Sequence, residues 1–245
     1  MIELFGLSLW SIAAFFTVVT VASAMHRLGG QGFGTIVAPF AALIAPDHTP
    51  ATVLMLGVLV TAAGVGLEFR EIRMREIAPA VAGRLAGTLP AVWVVGLVAG
   101  SALLGPVVAA VILLGIALSL AGLTAPKTPR TLFAAGALSG FMGTLTSVGA
   151  APMGMIYQNE AARNARSTLN AFFLFGVSFS VVGLIAAGLA RVEHLAMTAL
   201  LAPAVLIGFR AAGPMARRIE AAPLKPISLG LAGFAAILLI GRSLW

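Results

Sequence analysis

Apolar residues in this chain occur in long runs, separated by short segments that hold most of the charged residues. The runs cover residues 7–25, 33–45, 50–67, 77–98, 106–123, 132–145, 148–158, 167–189, 195–212 and 226–240. A helix rises about 1.5 Å per residue and the hydrocarbon core of a bilayer is about 30 Å thick, so about 20 apolar residues can cross it. The pattern therefore predicts an all-α integral membrane protein that crosses the bilayer several times.

Three of the runs are too short to cross a bilayer. As helices, residues 33–45, 132–145 and 148–158 would be roughly 20, 21 and 16 Å long. They adjoin two glycine-rich breaks, at residues 29–34 and 143–149. Irregular backbone at membrane depth is tolerated only where protein or a wet cavity covers it. We therefore predict two re-entrant hairpins of broken helices, over residues 7–45 and 132–158.

The order of hairpins and spans predicts two inverted-topology repeats. The first repeat would cover residues 1–123, with spans at 50–67, 77–98 and 106–123. An inner linker at 124–131 leads to the second repeat, residues 132–245, with spans at 167–189, 195–212 and 226–240. Because three crossings follow each returning hairpin, the second half would be upside down. Both halves contain Ala-Pro-Ala-Val followed by glycine and arginine, starting at Ala78 and Ala202. Inverted repeats are frequent in secondary transporters.

Composition and charge narrow the class of protein further. The chain is 60% hydrophobic and 9% charged, contains no cysteine and has a formal net charge of +7. The small charged fraction excludes soluble and disordered classes, and the lack of cysteine excludes a disulfide-rich protein. Nucleic-acid binding is excluded because the basic residues lie in short loops between apolar runs. One face would carry Arg70, Arg73, Arg75, Lys127, Arg130, Arg163, Arg166, Arg217, Arg218 and Lys225, and the other only Arg191 and Arg242. The positive-inside rule then predicts a multi-pass inner-membrane protein with both termini outside.

The two breaks contain the first group of candidate substrate-binding residues. These residues are Gly30, Gln31, Gly32 and Gly34 in the first break, and Thr146, Ser147 and Gly149 in the second. A helix that starts at a glycine turn leaves its first amides unpaired, with its positive dipole end exposed. Two such ends facing each other would bind a small anion. Close helix packing is the alternative reading of these glycines.

Charged residues within or beside the spans complete the candidate site. A charge at the bilayer centre costs about 2.5–3.5 kcal/mol on insertion scales, so Arg84, inside a span, is a functional candidate. No acidic residue in the spans could neutralise Arg84, and its partner could be the transported anion; the alternative is snorkelling to the inner interface. His26 and Arg27 precede the first break. They would contact substrate if that tip lies at mid-membrane, with His26 able to exchange a proton, or act as interfacial anchors if residues 7–25 cross completely.

The sequence lacks the motifs that enzymatic, metal-binding and nucleotide-binding functions would require. The acidic residues fall near span ends or in loops, and there is no Walker motif, no HExxH motif and no cysteine. We therefore expect no catalytic residues, no metal site and no cofactor, and we expect that the chain is not an enzyme.

Particular motifs resemble a known family. They are Gly30-x-Gly32-x-Gly34 with Pro39, Gly136-x-x-Ser139-Gly140-x-x-Gly143 leading to Pro152, and Tyr157-Gln158 followed by Arg163, Arg166-Ser167-Thr168 and Asn170-Ala171-Phe172-Phe173. Together they resemble the TauE/SafE sulfite exporter family over essentially the whole chain. The resemblance implies an inner-membrane carrier of two repeated halves that moves sulfite or related organosulfonates. Phe33, Ser147 and Ala150-Ala151 depart from the glycine-rich pattern of that family.

These observations predict a secondary transporter that exports a small anion, such as sulfite or an organosulfonate, by alternating access. An anion channel or uniporter would use the same residues, and a non-transporting membrane enzyme or assembly factor is a further alternative. The expected partners are the anion and the lipid bilayer, with no nucleic acid. A coupled proton and a homodimeric assembly both stay open.

Overall fold

The computed structural model describes residues 3–4, 6–98, 101, 103–160, 162–217, 230 and 234. Apart from residues 230 and 234, the predicted span 226–240 lies outside the described residues, as do Arg218, Lys225 and Arg242. Two short strands, β1 (Glu3–Leu4) and β2 (Leu7–Ser8), pair antiparallel before the first helix. The helices that follow are α1 (Leu9–Gly29), α2 (Phe33–Ile44), α3 (Ala51–Glu68), α4 (Met74–Val98), α5 (Leu104–Leu120), α6 (Pro129–Thr146), α7 (Ala150–Tyr157), α8 (Ala162–Ala186) and α9 (Val192–Ala211).

The prediction of an all-α membrane protein is confirmed. In the described part of the chain, five helical segments are long and apolar enough to cross a bilayer: Leu9–Gly29, Ala51–Glu71, Met74–Val98, Ala165–Ala186 and Val192–Ala211. Large apolar side chains cover the outside of the bundle, and Trp10 is 83% exposed. Such a surface is stable against lipid chains rather than against water.

Both helix breaks lie where the glycine pattern predicts them. Gly30 ends α1 with a φ of 70°, and Gly32 precedes α2 with a φ of 101°. Helix α2 has 12 residues, so it is about 18 Å long. Ser147 ends α6 and Gly149 precedes α7, which has 8 residues. The re-entrant path of these two hairpins relative to a bilayer stays a prediction.

One arm of the second hairpin is longer than the apolar pattern indicates. Helix α6 begins at Pro129 instead of residue 132, because the side chains and backbone amides of Thr128 and Thr131 cap its first turn reciprocally. At 18 residues this helix is about 27 Å long. Helix α1, with 21 residues, is about 31 Å long, enough to cross a bilayer.

Several helix pairs join the two predicted halves of the chain. Helix α4 packs against α6 and α1 packs against α9, while α3 packs against α8. If α1 corresponds to α6 and α4 to α9, the first two pairs are equivalent, and each joins one half to the other. The inverted relation of the two halves, and the repeat boundaries, stay predictions.

Glycines bring α4 and α6 into backbone contact. A Cβ atom added to Gly83 or Gly87 of α4 would lie 2.0 or 1.9 Å from a carbonyl oxygen of α6, and one on Gly136 or Gly140 would lie 2.1 or 2.3 Å from a carbonyl oxygen of α4. Small residues at such interfaces permit the close approach that van der Waals packing in membranes requires. The backbone of α4, which carries Arg84, is therefore held firmly against α6.

Replacing Gly140 with alanine is expected to destabilise the protein by about 1–3 kcal/mol, because the new methyl group would overlap the backbone of Arg84. The measurement is the thermal unfolding temperature of the purified protein in detergent. Gly66→Ala in α3 is the matched control, since no atom lies within 4 Å of that added Cβ. An equal response of the two variants would contradict the close α4–α6 contact.

Ion pairs gather several loops at one end of the bundle. Glu160 pairs with Arg73 at 3.0 Å and with Lys127 at 2.7 Å, and Glu76 accepts a hydrogen bond from the Tyr157 hydroxyl. The hydrogen bond from Lys127 holds the pKa of the Glu160 carboxyl below its usual value. The loops that carry these residues belong to the predicted inner face. Which side of a membrane that end faces stays a prediction.

Candidate functional site

The two helix breaks meet inside the bundle. A Cβ atom added to Gly34, in the first turn of α2, would lie 1.8 Å from the carbonyl oxygen of Ser147. Beside this contact lies a cavity of about 50 Å³. About 10–15 Å³ of such volume holds one water, so the cavity has room for a few waters or one small oxyanion.

Seven of the ten predicted site residues line this cavity: His26, Gln31, Gly32, Gly34, Arg84, Ser147 and Gly149. The other three do not line it. Gly30 packs against Arg166, and Arg27 forms an ion pair with Glu68. The Thr146 hydroxyl donates to the carbonyl oxygen of Met142 and accepts from the Val148 amide. That any of these ten residues binds a substrate stays a prediction.

Arg84 lies in the bundle interior and does not snorkel. The residue is 1% exposed, and its Nη1 donates to the carbonyl oxygen of Ser139 at 3.1 Å and to the Ser139 hydroxyl at 2.7 Å. Its guanidinium carbon lies 5.5 and 5.8 Å from the ring centres of Phe172 and Phe173. Within the described residues Arg84 has no acidic partner. A buried cation of this kind is costly unless an anion accompanies it.

The guanidinium fits because glycines surround it. A Cβ atom on Gly176 would lie 2.1 Å from Arg84 Nε, one on Gly143 2.8 Å from Nη2, and one on Gly149 3.0 Å from Nη1. The Ser139 hydroxyl also donates to the carbonyl oxygen of Gly149 at 2.6 Å, which ties Arg84 to the second break. In the sequence, Ser139 stands out only within the motif Gly136-x-x-Ser139-Gly140, and nothing marks Gly176 as a site residue. Both contacts depend on how α4, α6 and α8 pack.

The cavity wall contains polar atoms without protein partners. They are His26 Nδ1, Gln31 Oε1, Arg84 Nε and Ser147 Oγ. In addition, α2 and α7 each begin at a glycine with no side-chain cap, and Phe33, Gly34 and Ala150 of their first turns line the cavity. A buried polar atom left unpaired costs about 1–3 kcal/mol, so such a group indicates bound water or a ligand. Amide ends and a guanidinium together favour a negatively charged one.

Arg27 and Arg166 share one buried carboxylate. Arg166 contacts the two oxygens of Glu68 at 2.6–3.0 Å, and its Nη1 donates to the carbonyl oxygens of Leu28 and Ala216. Arg27 contacts Glu68 at 3.2 Å and lies 5.2 Å from the centre of the Phe209 ring. This triad joins α1, α3 and α8 near the cavity. It also explains why Arg27 is directed away from the cavity.

The described residues contain no group of three or more His, Asp or Glu side chains that could hold a metal ion. What they do contain is a multi-pass helical bundle with a small polar cavity between two broken helices. In many secondary transporters, discontinuous helices of this kind form the substrate site.

The family model for the sulfite exporter TauE/SafE matches residues 15–239 of the 245-residue chain, and the chain belongs to this family. The resemblance noted in the sequence motifs is thereby confirmed. Comparison with curated proteins finds no match, and neither does comparison with solved structures.

Proposed function

We propose that the chain is a secondary transporter that exports a small oxyanion, such as sulfite or an organosulfonate, across the inner membrane by alternating access. Both termini would lie on the outer side. The observation that carries the proposal is Arg84, a buried cation at the wall of the cavity with no acidic partner within the described residues.

Electrostatics favour an anion at this position. Two unit charges 4 Å apart attract each other by about 4 kcal/mol at an effective dielectric constant of about 20. An anion beside Arg84 would offset the cost of burying the guanidinium. The N-termini of α2 and α7, which have no side-chain caps, would add backbone amide donors. The cavity of about 50 Å³ suits an anion the size of sulfite. A longer organosulfonate would require the two halves to move apart.

Two rival functions make different predictions. A channel would use the same residues but would show no counterflow, whereas a uniporter would show counterflow without being driven by a second ion. A hydrolytic enzyme would require a serine paired with a base. The buried Ser139 instead donates to the carbonyl oxygen of Gly149, which does not favour that chemistry.

The test is uptake of labelled sulfite, sulfoacetate, sulfate and chloride by liposomes that contain the purified chain. We expect sulfite or sulfoacetate uptake that saturates with concentration, and acceleration of labelled uptake by unlabelled anion inside the liposomes. Flux that neither saturates nor shows this counterflow would favour a channel. If none of the four anions moves faster than in protein-free liposomes, the proposal is wrong.

A further inference from the structure

We propose that His26 binds a proton that moves together with the exported anion. This inference rests on the proposed function and names the ion whose movement would be coupled to that of the anion. It starts from the position of His26, which is 3% exposed, lines the cavity and lies directly before the first helix break.

Only one ring nitrogen of His26 has a protein partner. Nε2 lies 2.8 Å from Oδ1 of Asn170, and Nδ1 is buried without a partner. Asn170 is itself held firmly, because a Cβ atom on Gly64 would lie within 2.6 Å of its amide group. With Nε2 carrying the hydrogen donated to Asn170, Nδ1 has a free lone pair. His26 can therefore accept a proton without losing its existing hydrogen bond.

The charges around His26 make this proton dependent on the anion. The elements packed around it carry these ionisable groups: Arg27 on its own helix, Glu68 on α3, Arg75, Glu76 and Arg84 on α4, Arg163 and Arg166 on α8, and Glu193, His194 and Arg210 on α9, with none on α2. Of these, Arg84 lines the same cavity as His26. The cavity lining contains no carboxylate within the described residues, and Glu68 is already shared by two arginines, so a protonated His26 has no acidic partner there. Positive neighbours disfavour the imidazolium in an empty cavity, and a bound anion offsets them. Anion and proton therefore promote each other's binding.

The proton balance of one transport cycle is simple. On one side of the membrane Nδ1 takes a proton from water, and the ring becomes an imidazolium that still donates to Asn170. On the other side the anion leaves and Nδ1 returns the proton to water. One monoanion and one proton carry no net charge across the membrane, whereas a dianion and one proton carry one negative charge.

The experiment imposes a pH gradient across liposomes that contain the full chain, with equal anion concentrations on both sides. Methanesulfonate is one probe, because its sulfonate does not titrate near neutral pH, and sulfite is the other, with protein-free liposomes as the blank. We expect the wild type to accumulate at least one probe on the alkaline side, because protons that flow down their gradient from the acidic side would carry the anion with them. One-to-one coupling of a monoanion supports up to about tenfold accumulation per pH unit.

The side on which the anion accumulates distinguishes cotransport from exchange. Anion that moves with the proton flow, from the acidic to the alkaline side, supports the inference. His26→Gln should abolish the accumulation, which is expressed relative to that variant's own downhill flux because His26 also lines the cavity. His194→Gln is the matched control, because His194 lies outside the cavity lining and both its ring nitrogens have partners, the Arg191 amide and the Asp47 carbonyl oxygen. That control should accumulate anion as the wild type does.

Three outcomes would overturn the inference. Downhill flux in the wild type without accumulation in a pH gradient would reject proton coupling but leave the proposed function intact. Accumulation on the acidic side would indicate exchange of the anion for a proton, which would reject cotransport through His26 and also leave the proposed function intact. Accumulation that persists in a folded His26→Gln variant would assign the proton to another group. Absence of any anion flux in the wild type would instead reject the proposed function itself.

Discussion

Arg84→Ala is expected to lower anion transport by about 10–100-fold, corresponding to the roughly 1.5–3 kcal/mol of a hydrogen bond to a charged group. The guanidinium is buried at the cavity wall and has no acidic partner within the described residues. Its removal should therefore take away the charge that attracts the anion. The measurement is the initial rate of uptake into liposomes at equal amounts of inserted protein.

The stability of the same variant separates a binding role from a structural one. Removing a buried cation without a charged partner should leave the unfolding temperature unchanged or raise it, because the cost of burial disappears. Arg210→Ala is the matched control, since Arg210 is exposed at the end of α9. Arg84→Lys keeps the charge and should retain more transport than alanine. The assigned role is refuted if Arg84→Ala transports the anion at the wild-type rate. It is also refuted if Arg84→Ala unfolds while Arg84→Lys and Arg210→Ala keep the wild-type unfolding temperature.

Glu68→Gln is expected to destabilise the protein by about 3–5 kcal/mol, the usual cost of breaking a buried ion pair. The carboxylate is the shared partner of Arg27 and Arg166, and the side chains of Glu68 and Arg166 are each 9% exposed. Without it, two buried guanidinium groups would face each other uncompensated. The measurement is the unfolding temperature in detergent.

A surface ion pair provides the control for Glu68. Arg191 and Glu193 contact each other at 3.1 Å, but their side chains are 70% and 48% exposed. Glu193→Gln should change the stability by less than about 1 kcal/mol. Adding Arg27→Gln to Glu68→Gln should recover part of the loss, since one unpaired charge disappears. Equal effects of the Glu68 and Glu193 variants would contradict a buried triad.

Ser147 places a side chain at the point where the two helix breaks meet. It adopts a φ of 62°, a left-handed conformation that glycine accommodates without strain and other residues adopt at a cost. In return, serine places a hydroxyl without a protein partner at the cavity wall. Serine at this position therefore adds a hydrogen-bonding group to the cavity wall.

The sequence predicted the helix breaks well because their signals are local. Clustered glycines and short apolar runs are visible within a few residues, and both breaks formed where these signals occur. The start of α6 was three residues off, because a reciprocal threonine cap extends the helix beyond its apolar run. Arg27 illustrates the opposite case. Its position beside the first break suggested that Arg27 contacts the substrate, but its side chain pairs with Glu68, which lies 41 residues further along the chain.

Composition and hydropathy alone determined that this protein is a multi-pass helical bundle, since 60% hydrophobic and 9% charged residues cannot cover a water-soluble fold. Tertiary structure alone decided that Arg84 faces a cavity rather than an interface, and that Ser139 and Gly176 hold it there. The physical reason is that a span's length depends on its own residues, whereas the surroundings of a buried charge depend on helices distant in sequence.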